Sequence, residues 1–428
     1  MELYILLGRA KSRGRIASGK REMNICILST SLTVHRMGGT EVHAEALAAE
    51  AARQGHEVTV VTSSHPSGLK AERKNGFETF YLEGTSHLMS RADAPAWWRA
   101  SAAEVSRLAA SGKADVVWAE NFAGLSCAAI PRGKRPPVIS VVQGLGIRGE
   151  IASRFSETSS LSGLAYFLTR YAAQTLLYYI PRFRAMVRDS DLLVGVSRET
   201  IAALHAEFPR SRMKTSLIFN PVDTGRFRPD PGLRAEALKR LALPAGTRLV
   251  MMAGVMSRQK GMHVGLEAFS AIADRFPEAR LLIVGDGPER GALEAAAAGL
   301  KDRIIFAGRA GNADMPAHYN SADVYLNPTL RLEGLPLVIA EAMACGLPSV
   351  VSRIGGTAST IEDGISGFFA APGDAAGLAS GMEKLLRDPG TAAGMGRKAR
   401  ADAEARFSLS NAVRRYAEES GKLLGEGS

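Results

Sequence analysis

The sequence predicts an α/β protein built from two doubly wound domains whose sheets face a central cleft, and three observations carry that prediction. With 428 residues, 46% of them hydrophobic, the chain can fill two cores, and 44 glycines suit a fold rich in tight strand-to-helix turns. Residues 24–62 spell a strand, a glycine loop, a helix and a second strand. After a Pro-rich stretch at 220–232 the same alternation starts afresh.

The first strand is Asn24 to Ser29, a nearly continuous apolar run followed by a polar loop that ends in Gly38-Gly39. From Glu41 the residues Ala44, Leu47, Ala48 and Ala51 recur at helical spacing until Gly55 stops them. The next strand is Val58 to Thr62, which completes a βαβ unit and so demands a parallel pair with a right-handed crossover. Further strands are predicted at Val116 to Ala119, Val138 to Val142 and Leu192 to Val196. In the second half they fall at Leu249 to Ala253, Arg280 to Val284, Arg303 to Phe306, Val324 to Asn327 and Ser349 to Ser352, each alternating with helical pattern. The linker is expected near Ile218 to Pro231, giving a first domain over 23–218 and a second over 219–408. A last helical segment, Leu409 to Leu424 within 409–428, is expected to cross back onto the first domain.

The net charge of +10 is local. Met1 to Glu22 and Arg148 to Arg188 each carry six Lys or Arg against two Glu. Without an aromatic-basic motif or zinc-finger spacing, nucleic acid is not the expected partner; a phosphate-rich ligand or an anionic membrane surface fits a local excess better. Cys26, Cys127 and Cys345 are odd in number and far apart, which argues against a disulfide framework and for a reducing compartment. Residues 1–22 place a short apolar run before the basic residues, the reverse of a signal peptide, and are expected to be a disordered tail or a start-site artefact. No segment approaches the roughly 18 uninterrupted apolar residues of a spanning helix.

The most informative stretch is Glu333 to Glu341, Glu-Gly-Leu-Pro-Leu-Val-Ile-Ala-Glu. Glu341 is the lone charge from Gly334 to Cys345, in what is predicted to be a buried helix starting near Pro336. A buried carboxylate needs a donor, and because it only accepts hydrogen bonds, sugar or ribose hydroxyls suit it. A capping Glu333 and a core Glu341 bonded to backbone would be the structural explanation of an isolated pair at this spacing. Here the loop Gly254 to Gly261 follows a strand, precedes a helix and carries Arg258 and Lys260, two cations suited to a diphosphate.

Together these stretches resemble the signature of the retaining GT-B glycosyltransferases of family 4 (glycosyl transferases group 1), which move a sugar from a nucleotide diphosphate to an acceptor. The resemblance implies two Rossmann-like domains and assigns Arg258 and Lys260 to the leaving diphosphate, Glu333 to the donor sugar and Glu341 to the ribose. Gly38, Gly39, Gln143, Asn220, Gly334 and Leu335 join Glu341 as donor-binding positions, and Arg309 as a nucleotide contact, although a surface arginine reads nearly as well there. Many members carry a histidine where this chain has Gln143, which can hydrogen-bond a hydroxyl but cannot act as a base. Retention by a front-face route, in which the leaving phosphate takes the acceptor proton, needs no protein base.

No metal or cofactor is expected, since Asp189-Ser190-Asp191 directly precedes a strand and reads as helix-end and strand-start aspartates. The partners implied are a nucleotide sugar and a glycan or lipid-linked acceptor, in cell-surface polysaccharide or lipopolysaccharide synthesis. Thr158 to Pro181 holds one charge, Arg170, among Leu, Phe and Tyr with arginines on either side; it reads either as an interfacial helix on an anionic membrane, through 158–188, or as a helix packed on the core. The expected location is cytoplasmic, peripheral on the inner face of the membrane in the first case. A nucleotide-sugar 2-epimerase and a non-catalytic nucleotide-sugar-binding protein are the alternatives.

Overall fold

The computed structural model describes residues 16–17, 20–36, 38–155, 165 and 167–425. Ile16–Ala17 (β1) and Lys20–Arg21 (β2) pair with each other in antiparallel fashion and join neither large sheet.

The first large sheet contains β3 (Asn24–Leu28), β4 (Glu57–Ser63), β5 (Ala71–Lys74), β6 (Phe77–Leu82), β7 (Val116–Glu120), β8 (Val138–Val142), β9 (Leu192–Gly195) and β10 (Thr215–Leu217). Their spatial order is β10-β9-β8-β7-β3-β4-β6-β5, and every pairing but β5 to β6 is parallel. The central strands β7 and β8 are buried throughout and mostly apolar because helices cover both faces. Helix Gly39–Arg53 lays Ala44, Leu47, Ala48 and Ala51 into the core, all 0–1% exposed, and Gly55 at φ +93 ends it. On the opposite face helix Ala94–Ala110 buries Trp97, Val105 and Leu108.

Four strands of the large sheets escape the sequence reading: β5, β6 and β10 here and, in the second sheet, Gly367–Ala370. Strand β5 is Ala-Glu-Arg-Lys, mostly exposed, with no apolar run to announce it. It folds back on β6 through Asn75-Gly76, both at positive φ, with Lys74 opposite Phe77. That is the Asn-Gly hairpin turn, and it was the available signal. Strand β10, three half-buried residues, offered none.

The second sheet contains β11 (Arg248–Ala253), β12 (Ala279–Val284), β13 (Ile304–Gly308), β14 (Val324–Asn327), β15 (Ser349–Ser352) and β16 (Gly367–Ala370), in the order β13-β12-β11-β14-β15-β16 and wholly parallel. Helices Met262–Ala273 and Ala375–Arg387 pack on one face, and Leu337–Ala344 and Pro389–Arg406 on the other. Both sheets reverse their order beside the first strand of each domain, the place where open α/β sheets take ligands.

Two strands of chain pass between the domains and pair with each other. Val222 donates its N–H to Phe407 at 2.7 Å and accepts from Leu409 at 3.0 Å. Helix Leu409–Leu423 then lies on the first domain, where the Tyr416 ring packs at a tilt against Trp118, centroids 5.0 Å apart, and Trp118 Nε1 donates to Ser420 at 3.0 Å.

Among the described residues no helix is long and apolar enough to cross a membrane. Residues 156–164 and 166 of the basic apolar segment lie outside the described residues. The remainder is helical, with π turns at Phe167–Tyr171 and Thr175–Tyr179 and with Leu176 and Leu177 exposed. Arg182 turns inward instead, its guanidinium over the Trp98 ring at 4.6 Å.

Candidate active site

The phosphate-loop candidate leaves β11 at Gly254 and turns through a short 3-10 helix, Arg258–Lys260. Gly261 closes it at φ +65, a left-handed conformation that glycine adopts without strain; a Cβ there would overlap the Pro328 carbonyl. Lys260 Nζ pairs with the Glu333 carboxylate, and both side chains are largely buried. Arg258 is exposed, forms no ion pair among the described residues, and stands near His263, whose pKa is held down first by burial and then by this charge.

Glu333 precedes a segment threaded tightly between the domains. Its carbonyl accepts the Gly356 N–H at 2.8 Å. Gly334 lies so close to the Gln143 carbonyl oxygen that a Cβ would overlap it, and a Cβ on Gly356 would overlap the Gly334 carbonyl. Glycine is required here by contact between backbones. Across this seam Asn220 Nδ2 donates to Gln143 Oε1 at 2.9 Å and reaches the Leu335 carbonyl at 3.3 Å. Gly38 caps helix Gly39–Arg53 in an extended conformation, and the open face of Gly39 looks onto Leu337, 3.9 Å from where its Cβ would stand.

Helix Leu337–Ala344 starts after Pro336 and buries Ile339, Ala340, Ala342 and Met343. Glu341 projects from its flank, where Tyr319 Oη donates to Oε2 at 2.8 Å. Burial raises the carboxyl above its usual pKa, opposed by the Tyr319 bond and the charge of Arg226. Burial, then the neighbouring Glu341, raises the Tyr319 phenol, and the same two causes push the Cys345 thiol up to about 12. Glu341, Leu337, Asn312 and Arg226 line a cavity of roughly 800 Å³ whose other wall is helix Gly39–Arg53, through Val42, Glu45 and Arg53.

The structure therefore brings together Lys260 with Glu333, Gln143 with Asn220, Gly334 and Leu335, and Gly39 with Leu337. It leaves Arg258 and Arg309 in solvent; Arg309 is 84% exposed and 3.9 Å from Asp286. Neither Lys260 nor Glu333 lines the cavity that Glu341 faces. Asp191 is engaged by Arg132 and Arg135 and accepts the Val138 N–H at 2.8 Å, as a strand-start aspartate would. Among the described residues no group of three or more His, Cys, Asp or Glu is arranged to hold a metal ion.

Sequence reasoning missed Tyr319, Arg226 and the buried pair His43 and Glu120, whose Nδ1 and Oε1 lie 2.6 Å apart. Positions 77 residues apart give no local pattern. The only clue was an acidic residue closing an apolar strand beside the first.

Residues 37–226 match the family model Glycosyltransferase Family 4, and residues 247–388 match Glycosyl transferases group 1. The chain belongs to this family of glycosyltransferases and has its GT-B fold. It is 34% identical over 221 residues to the GDP-mannose-dependent alpha-(1-6)-phosphatidylinositol monomannoside mannosyltransferase of Mycolicibacterium smegmatis, covering 50% of this chain and 57% of that one. The match thus spans little more than half that relative's length. The N-acetyl-alpha-D-glucosaminyl L-malate synthase of Bacillus anthracis is 25% identical over 388 residues, 89% of this chain and 93% of its own. Among solved structures, HepE from Anabaena in complex with UDP superposes with a TM-score of 0.71 at 20% identity, covering 94% of this chain and all of that one.

Proposed function

We propose that the protein transfers a hexosyl residue from a nucleotide-diphosphate sugar to a glycan or lipid-linked acceptor, with retention at the anomeric carbon and without a metal. The observation that carries this is the Lys260–Glu333 ion pair set against the Gln143–Gly334 seam. A cation already positioned by a carboxylate beside the sugar site needs little reorganisation to take up charge as a diphosphate departs. Arg258, free in solvent, is the second cation for that charge. Glu333 orients the sugar, Glu341 holds the ribose with the oxygen that Tyr319 leaves open, and Gly38 and Gly39 bring backbone close to the phosphates. Gln143 orients hydroxyls without acting as a base, so the departing phosphate takes the acceptor proton.

The division of labour follows domains 23–218, on the acceptor side, and 219–408, on the donor side, with 409–428 crossing back. The mannosyltransferase relative, named for a phosphatidylinositol-linked acceptor, supports a lipid-linked substrate; HepE, solved with UDP, supports a nucleoside-diphosphate donor. Cell-surface polysaccharide or lipopolysaccharide synthesis at the inner face of the membrane, with 158–188 on anionic lipid, fits both.

Incubation with a panel of nucleotide sugars and polyprenyl- or phosphatidylinositol-linked acceptors, followed by product analysis, tests the proposal. A new glycoside with released nucleoside diphosphate supports it. An epimerised donor, or binding with no product, sinks it.

A further inference from the structure

Glu120 closes β7 and His43 lies on helix Gly39–Arg53; they are 5% and 2% exposed, and the proposed transfer uses neither. An ionised carboxylate can only accept, and Glu120 takes two donors. Its Oε1 lies 2.6 Å from His43 Nδ1 and its Oε2 3.0 Å from Gln143 Nε2. The two donor nitrogens, 3.2 Å apart, converge on the one carboxyl group. Gln143 must therefore present its NH₂ to Glu120, which turns its amide oxygen toward Asn220. There it accepts at 2.9 Å, and the same Asn220 nitrogen faces the Leu335 carbonyl. Every hydrogen bond in this chain has its direction set by the carboxylate at one end.

We propose that Glu120, held in place by His43, is a positioning residue that latches the first domain, through Gln143 and Asn220, onto the segment Gly334–Leu335 of the second. His43 Nε2 is buried with no partner among the described residues, so the ring has no second anchor and its orientation depends on Glu120. The backbone contact between Gly334 and the Gln143 carbonyl leaves the latch no slack. Only its effect on turnover rests on the proposed transfer; the latch itself is a property of the free protein.

Glu120→Met removes both acceptor oxygens at similar volume, so neither His43 nor the Gln143 NH₂ keeps its partner in either tautomer of the ring, and the Gln143 amide is free to flip and face Asn220 donor to donor. Asn220→Asp breaks the other end, since a carboxylate donates to neither Gln143 nor Leu335. Spin labels at Arg99→Cys and Lys301→Cys, on exposed sites of the two domains, read the interdomain distance; the three native cysteines are buried and stay unlabelled.

The unsubstituted latch should give one narrow distance, and each latch variant a broadened one. In turnover with donor and acceptor, each single variant should lose about tenfold or more in kcat, the effect of one charge-assisted hydrogen bond, with donor KM within about twofold for the Glu120 variant. The double variant should be no worse than the worse single, because both break one chain. Unchanged distances, or additive losses, would overturn the latch. Should Glu120→Met fail to fold, Gln143→Met, which removes both ends of the amide, must show the same broadening. Should no glycoside form from any donor, the transfer proposal fails while the distance measurement still decides the latch.

Discussion

Tyr319 donates its hydroxyl to Glu341 at 2.8 Å, joining helix Met315–Ser321 to helix Leu337–Ala344 and satisfying one oxygen of a carboxylate that burial holds above its usual pKa. A carboxyl raised in the folded state favours folding while protonated, and that contribution fades as pH rises from the ordinary value of 4.5 through the folded one. Glu341→Gln should therefore melt higher than the parent at pH 8, with the gap closing toward pH 4, while donor binding is lost. Tyr319→Phe should do the reverse, destabilising by about 1.5–3 kcal/mol at pH 8 and far less at pH 4. Thermal denaturation across that range checks both signs.

Lys260→Ala removes the cation that Glu333 positions. Its kcat should fall by about 10²–10³, the scale of losing one preorganised electrostatic contact in the transition state, with the fold preserved. Lys260→Arg should recover part of the loss. Steady-state kinetics with matched circular dichroism spectra separate this from misfolding.

Gly334→Ala places a methyl group against the Gln143 carbonyl. Overpacking of this kind costs about 1–3 kcal/mol, and here relief comes from parting the domains. Activity should drop while each domain keeps its helices and strands, so small-angle scattering should show a larger radius of gyration with an unchanged circular dichroism spectrum.

Tyr416 binds the returning helix to the first domain through its ring contact with Trp118. Tyr416→Ala should cost about 3–5 kcal/mol in urea denaturation, as large-to-small changes of buried aromatics do. Deletion of residues 409–428 would strip the cover from Trp118 and should yield insoluble protein.

Much of the architecture was legible because it lies in period and punctuation. Asn24 to Ser29, the Ala44–Leu47–Ala48–Ala51 stripe and the stop at Gly55 needed no knowledge of partners. The β5–β6 hairpin was missed because its edge strand is charged and exposed, although Asn75-Gly76 marked the turn. At the site, the spacing from Glu333 to Glu341 and the loop carrying Lys260 stood out locally. The protein donor to Glu341 did not: Tyr319, which occupies one of its two oxygens, lies 22 residues upstream on another helix. His43, Glu120, Gln143 and Asn220 meet only because β7 lies beside β3 and the linker passes Gln143, and no one-dimensional pattern encodes that meeting.

The most direct measurement is the proton NMR spectrum of the reaction product, taken as it forms from an α-linked nucleotide sugar, with Lys260→Ala run in parallel. An α-linked glycoside released in step with nucleoside diphosphate, and its loss in the variant, is the predicted result. A β-linked product, an epimerised donor, or equal turnover by Lys260→Ala would contradict the account.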